Sequence, residues 1–290
     1  MSQLGQAWAL ALSAAFFFGL ALVLTQIGLN HLSAALGAVV SVPTATVLFW
    51  IVAPLKLDVG AWQTDAAAIF AVVGFLFPAL VTRLTFEANL RMGPNIAGAV
   101  GNLAPFFAVS FAVLALGETP TPVQVIGISV IIVGVTVMSR QGGGDGIAWP
   151  LWVLALPLAA AAIRGGIQPA VKLGLAQWPS PFAAALIGYS VSSAVVVAMA
   201  VIRTRGWPRG FNLRGSAWFC SVGLCNGMAV LLMYEALGRG SVTLVSPLVA
   251  SYPLATLALS AFLSRTVRID RRVVAGVSLT VAGVAFLLAK

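Results

Sequence analysis

The sequence predicts an all-α integral membrane protein with ten transmembrane helices, arranged as two inverted repeats of five helices. Three observations support this fold class. Apolar residues make up 60% of the 290 positions and charged residues only 8%, and the mean hydropathy is +1.04, far above that of a soluble domain. The chain divides into apolar stretches of about 20 residues, the length that a membrane helix needs. One of these stretches recurs with its polar residues at a fixed offset, which is typical of an internal repeat.

The predicted spans follow one another with short polar breaks, so almost no chain is left for a soluble domain. Because the apolar runs are continuous and do not alternate with polar residues, a β-barrel is disfavoured. The first run is too long for the apolar region of a signal peptide, so we expect no cleavable signal. The predicted spans cover residues 6–28, 34–55, 65–87, 93–116, 121–139, 149–172, 180–202, 214–237, 241–264 and 269–288.

The clearest repeat joins residues 86–105 to residues 234–253. In both copies a glutamate follows an aromatic residue, an arginine comes four residues later, and an apolar run ends on a proline. A repeat of this size indicates two related halves, which we place at residues 1–140 and 149–290, with residues 141–148 as a linker. The pairs that keep one offset are Glu87 with Glu235, Arg91 with Arg239, and Pro105 with Pro253.

Other spans also match between the halves. Spans 5 and 10 carry a glycine every seven residues, and small residues at such spacing let helices approach closely in lipid. The matched residues are Gly19 with Gly165, Gln26 with Lys172, Gly28 with Gly174, Gly127 with Gly276, and Gly134 with Gly283. Because each half has an odd number of predicted spans, the second half must cross the membrane in the opposite direction. Inverted repeats are typical of secondary transporters; a scaffold or assembly protein with an old duplication is the alternative.

The repeated stretch, the Leu-Gly-Glu turn that ends at Glu118 and the glycine-spaced fifth span resemble the EamA-like family of the drug/metabolite transporter (DMT) superfamily. The resemblance covers almost the whole chain. It implies two five-span copies, and it implies exporters of amino acids, aromatic ones included, or of other small metabolites. Two features depart from the pattern. The tryptophan-glycine pair common in the first span of each copy is here Phe18-Gly19 and Arg164-Gly165, and residues 263–265 read Leu-Ser-Arg instead of Leu-Gly-Glu.

Arg164 is the strongest candidate for a substrate site. It lies deep in predicted span 6, where a charge is costly unless it faces water, a partner or a substrate. Its planar guanidinium suits a substrate carboxylate. Gln168 lies one turn later on the same face, and Pro169 interrupts the helical hydrogen bonds just beyond it. Bonding of Arg164 to backbone carbonyls, as a helix-packing residue, is the alternative.

Further candidates lie at comparable depth in other spans. Asn102 and Tyr252 lie beside prolines, whose freed carbonyls can bond a ligand when they line a cavity. Asn226 is a third polar candidate, and hydrogen bonding between helices is the alternative role for these residues. Phe17 and Phe18 are expected to form an apolar wall.

A second group of residues is predicted to bend or gate the bundle. Arg83, Glu87 and Arg91 fall at four-residue steps, which favours a structural ion ladder at a helix end; a gate that forms and breaks during transport is the alternative. The predicted hinge and gating residues are Gly19, Gly165, Pro105, Pro169, Pro253, Arg83, Glu87 and Glu235.

Neither a cofactor nor a metal is predicted, because no zinc-ligand spacing, phosphate-binding glycine loop or activated nucleophile is present. Cys220 and Cys225 are interpreted as small core residues. No acidic residue is expected in the middle of a span and His31 lies in a loop, so a uniporter or facilitator is favoured. Proton coupling remains the alternative if Glu87 or Glu235 lies deeper than these boundaries place it.

The net charge of +9 is carried mostly by short loops beside the spans. We therefore expect contact with anionic lipid, for which residues 203–214 with Trp207 are the best candidate, and no nucleic-acid partner. The positive-inside rule applied to these loops places both termini outside the cell. The family resemblance instead implies cytoplasmic termini.

Together these patterns predict a multi-pass transporter of the inner (plasma) membrane that exports small metabolites, above all amino acids, through a central site by alternating access. A multidrug or lipophilic-cation exporter is the first alternative, although a buried arginine repels cations. A membrane assembly protein that transports nothing is the second. An enzyme acting on lipid headgroups is disfavoured because it needs paired acids or an interfacial histidine. A small-molecule substrate and membrane lipid are the expected partners, and a monomer is compatible with the sequence.

Overall fold

A computed structural model describes residues 3–92, 97, 100–139, 150–263 and 271–288. All regular secondary structure within these residues is helical. Short 3-10 turns precede the third and seventh helices, and a π-helical turn, Leu76–Leu80, follows the third. The helices are α1 (Gln3–Gly28), α2 (Ala34–Lys56), α3 (Thr64–Phe75), α4 (Val81–Met92), α5 (Ala104–Leu116), α6 (Pro122–Ser139), α7 (Ala155–Gln177), α8 (Pro181–Thr204), α9 (Leu213–Arg239), α10 (Val242–Val249), α11 (Tyr252–Leu263) and α12 (Arg271–Leu288).

Six helical segments of the described chain are long and apolar enough to cross a membrane. They correspond to α1, α2, α7, α8, α9 and a segment that runs from α10 into α11. Four further apolar segments, in α3, α5, α6 and α12, are shorter than 18 residues within the described residues. The chain is therefore a multi-pass membrane protein, whereas the count of ten spans stays a prediction.

The predicted third span, residues 65–87, is not one continuous helix. α3 ends at Phe75, and Phe77 has an extended backbone, with φ −131° and ψ 133°. The predicted boundaries took no account of Pro78, which has no N–H to continue the helical hydrogen bonds. The buried hydroxyl of Ser192 on α8 lies 2.5 Å from the carbonyl oxygen of Gly74 and 2.6 Å from that of Phe77. It thereby provides a hydrogen-bond donor at the break.

The predicted ninth span, residues 241–264, is also interrupted. α10 ends at Val249 and α11 begins at Tyr252, so residues 250 and 251 form a turn inside the bundle. All eight residues of α10 are buried. This short helix thus has no lipid-facing side and is packed entirely by other helices.

Glycines bring helices of the two halves into backbone contact at equivalent positions. A β-carbon on Gly19 of α1 would lie 2.9 Å from the carbonyl oxygen of Tyr252 on α11. A β-carbon on Gly165 of α7 would lie 2.6 Å from the carbonyl oxygen of Ala104 on α5. Tyr252 and Ala104 occupy equivalent positions in the repeated stretch, so each half uses the same contact on the other.

The larger interfaces follow the same reciprocal pattern. α1 packs on α9 and α11, whereas α7, its counterpart in the second half, packs on α3, α4 and α5. α6 packs along α12, where Gly134 lies against Thr280 and Gly283 lies against Ile131. Close contact through small residues is a main source of helix association in lipid. The two halves are therefore interlocked, and the space between them is where a ligand site can form.

Candidate functional site

A cavity of about 290 Å³ lies inside the bundle, bounded by helices of both halves. Residues from α1, α5, α6, α7, α9, α10 and α11 line it, together with residues 101 and 102 before α5 and with Phe77 at the break after α3. We call this space the central cavity. Its lining includes Phe18, Phe77, Asn102, Ile131, Ile132, Arg164, Ile167, Gln168, Asn226, Met233, Ser246 and Tyr252.

The central cavity brings together six of the seven residues that the sequence predicts to bind substrate. These are Phe18, Asn102, Arg164, Gln168, Asn226 and Tyr252. Phe17 is not among the lining residues and instead packs edge-on against Phe16, with ring centroids 5.7 Å apart. Adjacent residues on a helix are rotated by about 100°, and in α1 this rotation directs Phe18 to the central cavity and Phe17 toward Phe16.

Arg164 lies near the middle of α7, nine residues after Ala155 and thus about 14 Å along the helix axis. Its side chain makes no ion pair and no hydrogen bond with another described residue. A guanidinium has five N–H donors and no acceptor. Arg164 therefore offers the central cavity a cationic group whose donors are available to an anionic ligand.

Gln168 lies one turn beyond Arg164 on the same face of α7. Its Oε1 atom is buried and has no hydrogen-bond partner among the described residues. An unsatisfied buried acceptor costs about 1–3 kcal/mol, which a ligand with an N–H or O–H group would recover. Arg164 and Gln168 thus present complementary donor and acceptor groups from positions on α7 whose Cα atoms are about 6 Å apart along the helix axis.

The remaining lining is largely apolar. Phe18, Phe77 and Met233 contribute the larger side chains, and no acidic side chain is among the described residues that line the central cavity. A cationic ligand would meet Arg164 without a compensating carboxylate. The central cavity therefore favours a small ligand that combines an anionic group with an apolar part.

The predicted hinge residues occupy three different settings. Gly19 and Gly165 lie at the tight interhelical contacts described above. Pro169 is inside the continuous helix α7, where it removes one helical hydrogen bond. Pro105 lies in the first turn of α5 and Pro253 in that of α11, positions that proline tolerates well. Of the three prolines, Pro169 has the strongest geometric basis for local bending.

The predicted ion ladder appears as one pair in each half. Glu87 bonds to Arg91 at 2.6 Å, and Glu235 bonds to Arg239, in both cases four residues apart on one helix. These side chains are partly exposed and lie near helix ends. Arg83 lies in α4, but its side chain is outside the described residues.

One charged cluster was not recognised as a unit from the sequence. Lys172 of α7 pairs with Glu118, which belongs to the turn after α5, with Nζ 3.7 Å from Oε1. Lys172 also donates to the backbone carbonyls of Leu237 and Gly240, at the end of α9. The four-residue steps from Arg164 through Gln168 to Lys172 could have placed Lys172 on the same face. Its partner, 54 residues away in the chain, could not be read from that spacing.

No group of three potential metal ligands occurs in the part of the chain that the structure describes.

The chain matches one known protein family along most of its length. The model of the EamA-like transporter family matches residues 6–140 and again residues 150–289. The chain belongs to the EamA-like transporter family. This family is part of the DMT superfamily, and its two matches correspond to the two copies of the repeat.

Membership of the EamA-like family makes the chain a membrane transporter of the DMT type, a class that is generally not enzymatic. No curated protein matches the chain. A solved crystal structure is similar over 98% of both chains, with a TM-score of 0.79 and 19% sequence identity. At this identity the similarity shows a shared fold and leaves the substrate to be inferred from the central cavity.

Proposed function

We propose that this EamA-like transporter exports small metabolites, above all amino acids, across the inner (plasma) membrane. In this proposal ten spans form two inverted five-helix repeats. The central cavity between them is exposed to each side in turn by alternating access, as in other inverted-repeat transporters. Inversion is supported by Gly240, because the start of α1 and the end of α7, its counterpart in the second half, both lie beside it. Gly240 packs against Ala7 of α1 and accepts a hydrogen bond from Lys172 of α7.

The observation that carries the substrate class is the Arg164 side chain in the central cavity. A guanidinium at mid-membrane that has no partner among the described residues is costly unless a ligand or water satisfies it. A carboxylate can accept two parallel hydrogen bonds from it. Arg164 is therefore proposed to hold the substrate carboxylate.

Gln168 supports a substrate that also carries a donor. In an amino acid the α-ammonium group is bonded to the carbon next to the carboxylate. With the carboxylate on Arg164, the ammonium can donate to the free Oε1 atom of Gln168. Asn226 and Tyr252 add polar groups to the lining, and Phe18 and Phe77 provide an apolar surface for the side chain. Ligand pockets usually span about 300–1,000 Å³, so a cavity of about 290 Å³ suits a small metabolite.

The proposal is tested by efflux from proteoliposomes loaded with a labelled amino-acid mixture. The Arg164→Ala variant should lose at least about thirtyfold in flux, because truncating one partner of a buried charge pair costs about 2 kcal/mol or more. Arg164→Lys keeps the charge without the planar fork and should retain part of the flux. Arg203→Ala, which removes an exposed arginine near the end of α8, is the matched control and should transport normally.

Three outcomes would contradict the proposal. Normal flux from folded Arg164→Ala protein would remove Arg164 from the site. Export of a cationic dye, without export of any amino acid, would favour the multidrug alternative. If neither amino acids nor dye leave the vesicles and no small solute binds the purified protein, an assembly role is favoured.

A further inference from the structure

A second cavity lies one helical turn beyond the central cavity. It has a volume of about 460 Å³ and is lined by residues at the ends of α7 and α9, with Ala176, Pro179 and Gly238 exposed at its edge. We call it the vestibule. Because α7 and α9 both end here, the vestibule opens at the end of the bundle.

Two helices independently show how close the two cavities are. On α7, Gln168 lines the central cavity and Lys172 lines the vestibule. On α9, Met233 lines the central cavity and Leu237 lines the vestibule. Both steps are four residues, or about 6 Å along the helix. A thin layer of side chains therefore separates the spaces.

Lys172 lies on the vestibule side of this layer and pairs with Glu118. Lys172 is held by the carboxylate of Glu118 and by the carbonyl oxygens of Leu237 and Gly240. The Glu118 side chain is only 12% exposed and accepts hydrogen bonds from the backbone amides of Val242 at 2.8 Å and Thr243 at 2.9 Å. The cluster thus joins α7, the turn after α5, and the junction of α9 with α10.

The same cluster is connected to the wall of the central cavity. Glu118 bonds to the first two N–H groups of α10, a position where a carboxylate is stabilised by the helix dipole. Further along α10, Ser246 and Val249 line the central cavity. A displacement of Glu118 would release the start of a helix whose later residues form the cavity wall.

We propose that Lys172 and Glu118 form the gate between the central cavity and the vestibule. This inference rests on the proposed transport function. In the closed gate, the ion pair and the two carbonyl bonds hold α7 against the end of α9 and the start of α10. Passage of a ligand from the central cavity to the vestibule requires Lys172 to leave these partners. Release of α10 then widens the path beside Gln168 and Met233.

The gate is specific to one end of the molecule. In the first half, the residue that matches Lys172 is Gln26, and the second half carries Arg265 where the first carries Glu118. A glutamine and an arginine cannot reproduce the ion pair. The opposite end must therefore close by other contacts.

The test measures how readily a cysteine in the central cavity reacts with a membrane-impermeant thiol reagent. Cys220→Ser and Cys225→Ser provide the background, because these are the two cysteines of the chain. Met233→Cys reports on the central cavity. In a second single-cysteine variant, Ala176→Cys reports on the vestibule and shows to which membrane face the vestibule opens.

From the vestibule face, Lys172→Met and Glu118→Gln should each raise the labelling rate of Met233→Cys about fivefold by shifting the population toward the open gate. The double variant should add little, because both substitutions break one cluster. Ala176→Cys should not react faster in any of them. Asp65→Asn, which removes an exposed carboxylate from the first turn of α3, is the control and should leave both rates unchanged.

Unchanged Met233→Cys labelling in folded Lys172→Met and Glu118→Gln proteins would overturn the gate. An equal increase for Ala176→Cys would also overturn it, because that result indicates general loosening. If either variant fails to fold, Lys172→Arg and Glu118→Asp replace them and should give smaller increases in the same direction; no increase would contradict the gate. Labelling needs no substrate, so a failure of amino-acid efflux and a failure of the gate are separately observed.

Discussion

Gly165 lies so close to Ala104 that a β-carbon at position 165 would stand 2.6 Å from the Ala104 carbonyl oxygen. The contact is between backbone atoms of α7 and α5, so no flexible side chain can move aside. Gly165 also lies next to Arg164, the proposed carboxylate-binding residue. The position of the guanidinium therefore depends on a helix contact that tolerates only glycine.

We predict that Gly165→Ala destabilises the protein by about 1–3 kcal/mol, the usual cost of overpacking a tight contact. Gly166→Ala is the matched control, because its β-carbon would meet only the Phe111 ring, at 3.3 Å. Thermal unfolding in detergent should give a clearly lower midpoint for Gly165→Ala than for Gly166→Ala. Equal midpoints would contradict the assigned contact.

We predict that Gln168→Leu weakens amino-acid binding about five- to a hundredfold, because the α-ammonium group then loses its buried acceptor. Binding of a monocarboxylate of similar size without the amino group should change much less. Equilibrium binding of both ligands to purified protein makes the comparison. The same loss for both ligands would indicate that Gln168 shapes the central cavity and does not bond to the ammonium group.

We predict that Glu118→Gln lowers stability by about 0.5–2 kcal/mol, because a negative charge at a partly buried helix N-terminus contributes up to about 2 kcal/mol. The substitution weakens the bonds to the start of α10 and removes the charge that faces Lys172. Glu87→Gln breaks an exposed pair within one helix and should cost no more than about 0.5 kcal/mol. Chemical unfolding of both variants gives the difference, and a larger loss for Glu87→Gln would refute the assignment.

We predict that Ser192→Ala lowers stability by about 1–3 kcal/mol, because it removes the hydroxyl donor from the buried carbonyl of Gly74 and the part-buried carbonyl of Phe77 at the break after α3. Ser129→Ala is the control, since the Ser129 hydroxyl is exposed and bonds only within its own helix. Thermal unfolding should separate the two variants. A loss in Ser192→Ala no greater than that in Ser129→Ala would show that water or a rearranged backbone satisfies these carbonyls.

The sequence predicted the parts of the site that depend on helical period and depth. Arg164 and Gln168 share a face because they are four residues apart, and no tertiary information is needed for that. The same reasoning cannot predict which of Phe17 and Phe18 faces the central cavity. α1 is apolar on every side, so its pattern does not reveal how the helix is rotated.

The remaining features depend on contacts between distant parts of the chain. Glu118 lies in a turn by its local sequence, and only packing brings it to the start of α10 and to Lys172. The break at Pro78 was in principle readable, because a proline inside an apolar run interrupts the backbone hydrogen bonds. The interruption at residues 250 and 251 comes just before Pro253, which likewise has no N–H to bond to the preceding helical turn.

The reciprocal contacts of Gly19 and Gly165 offer a test of the proposed alternating-access cycle. Each contact joins one half of the molecule to the other at backbone distance, so a movement of one half against the other would change the space available to a β-carbon at each position. A ligand that changes the stability cost of Gly19→Ala or Gly165→Ala would therefore report such a movement.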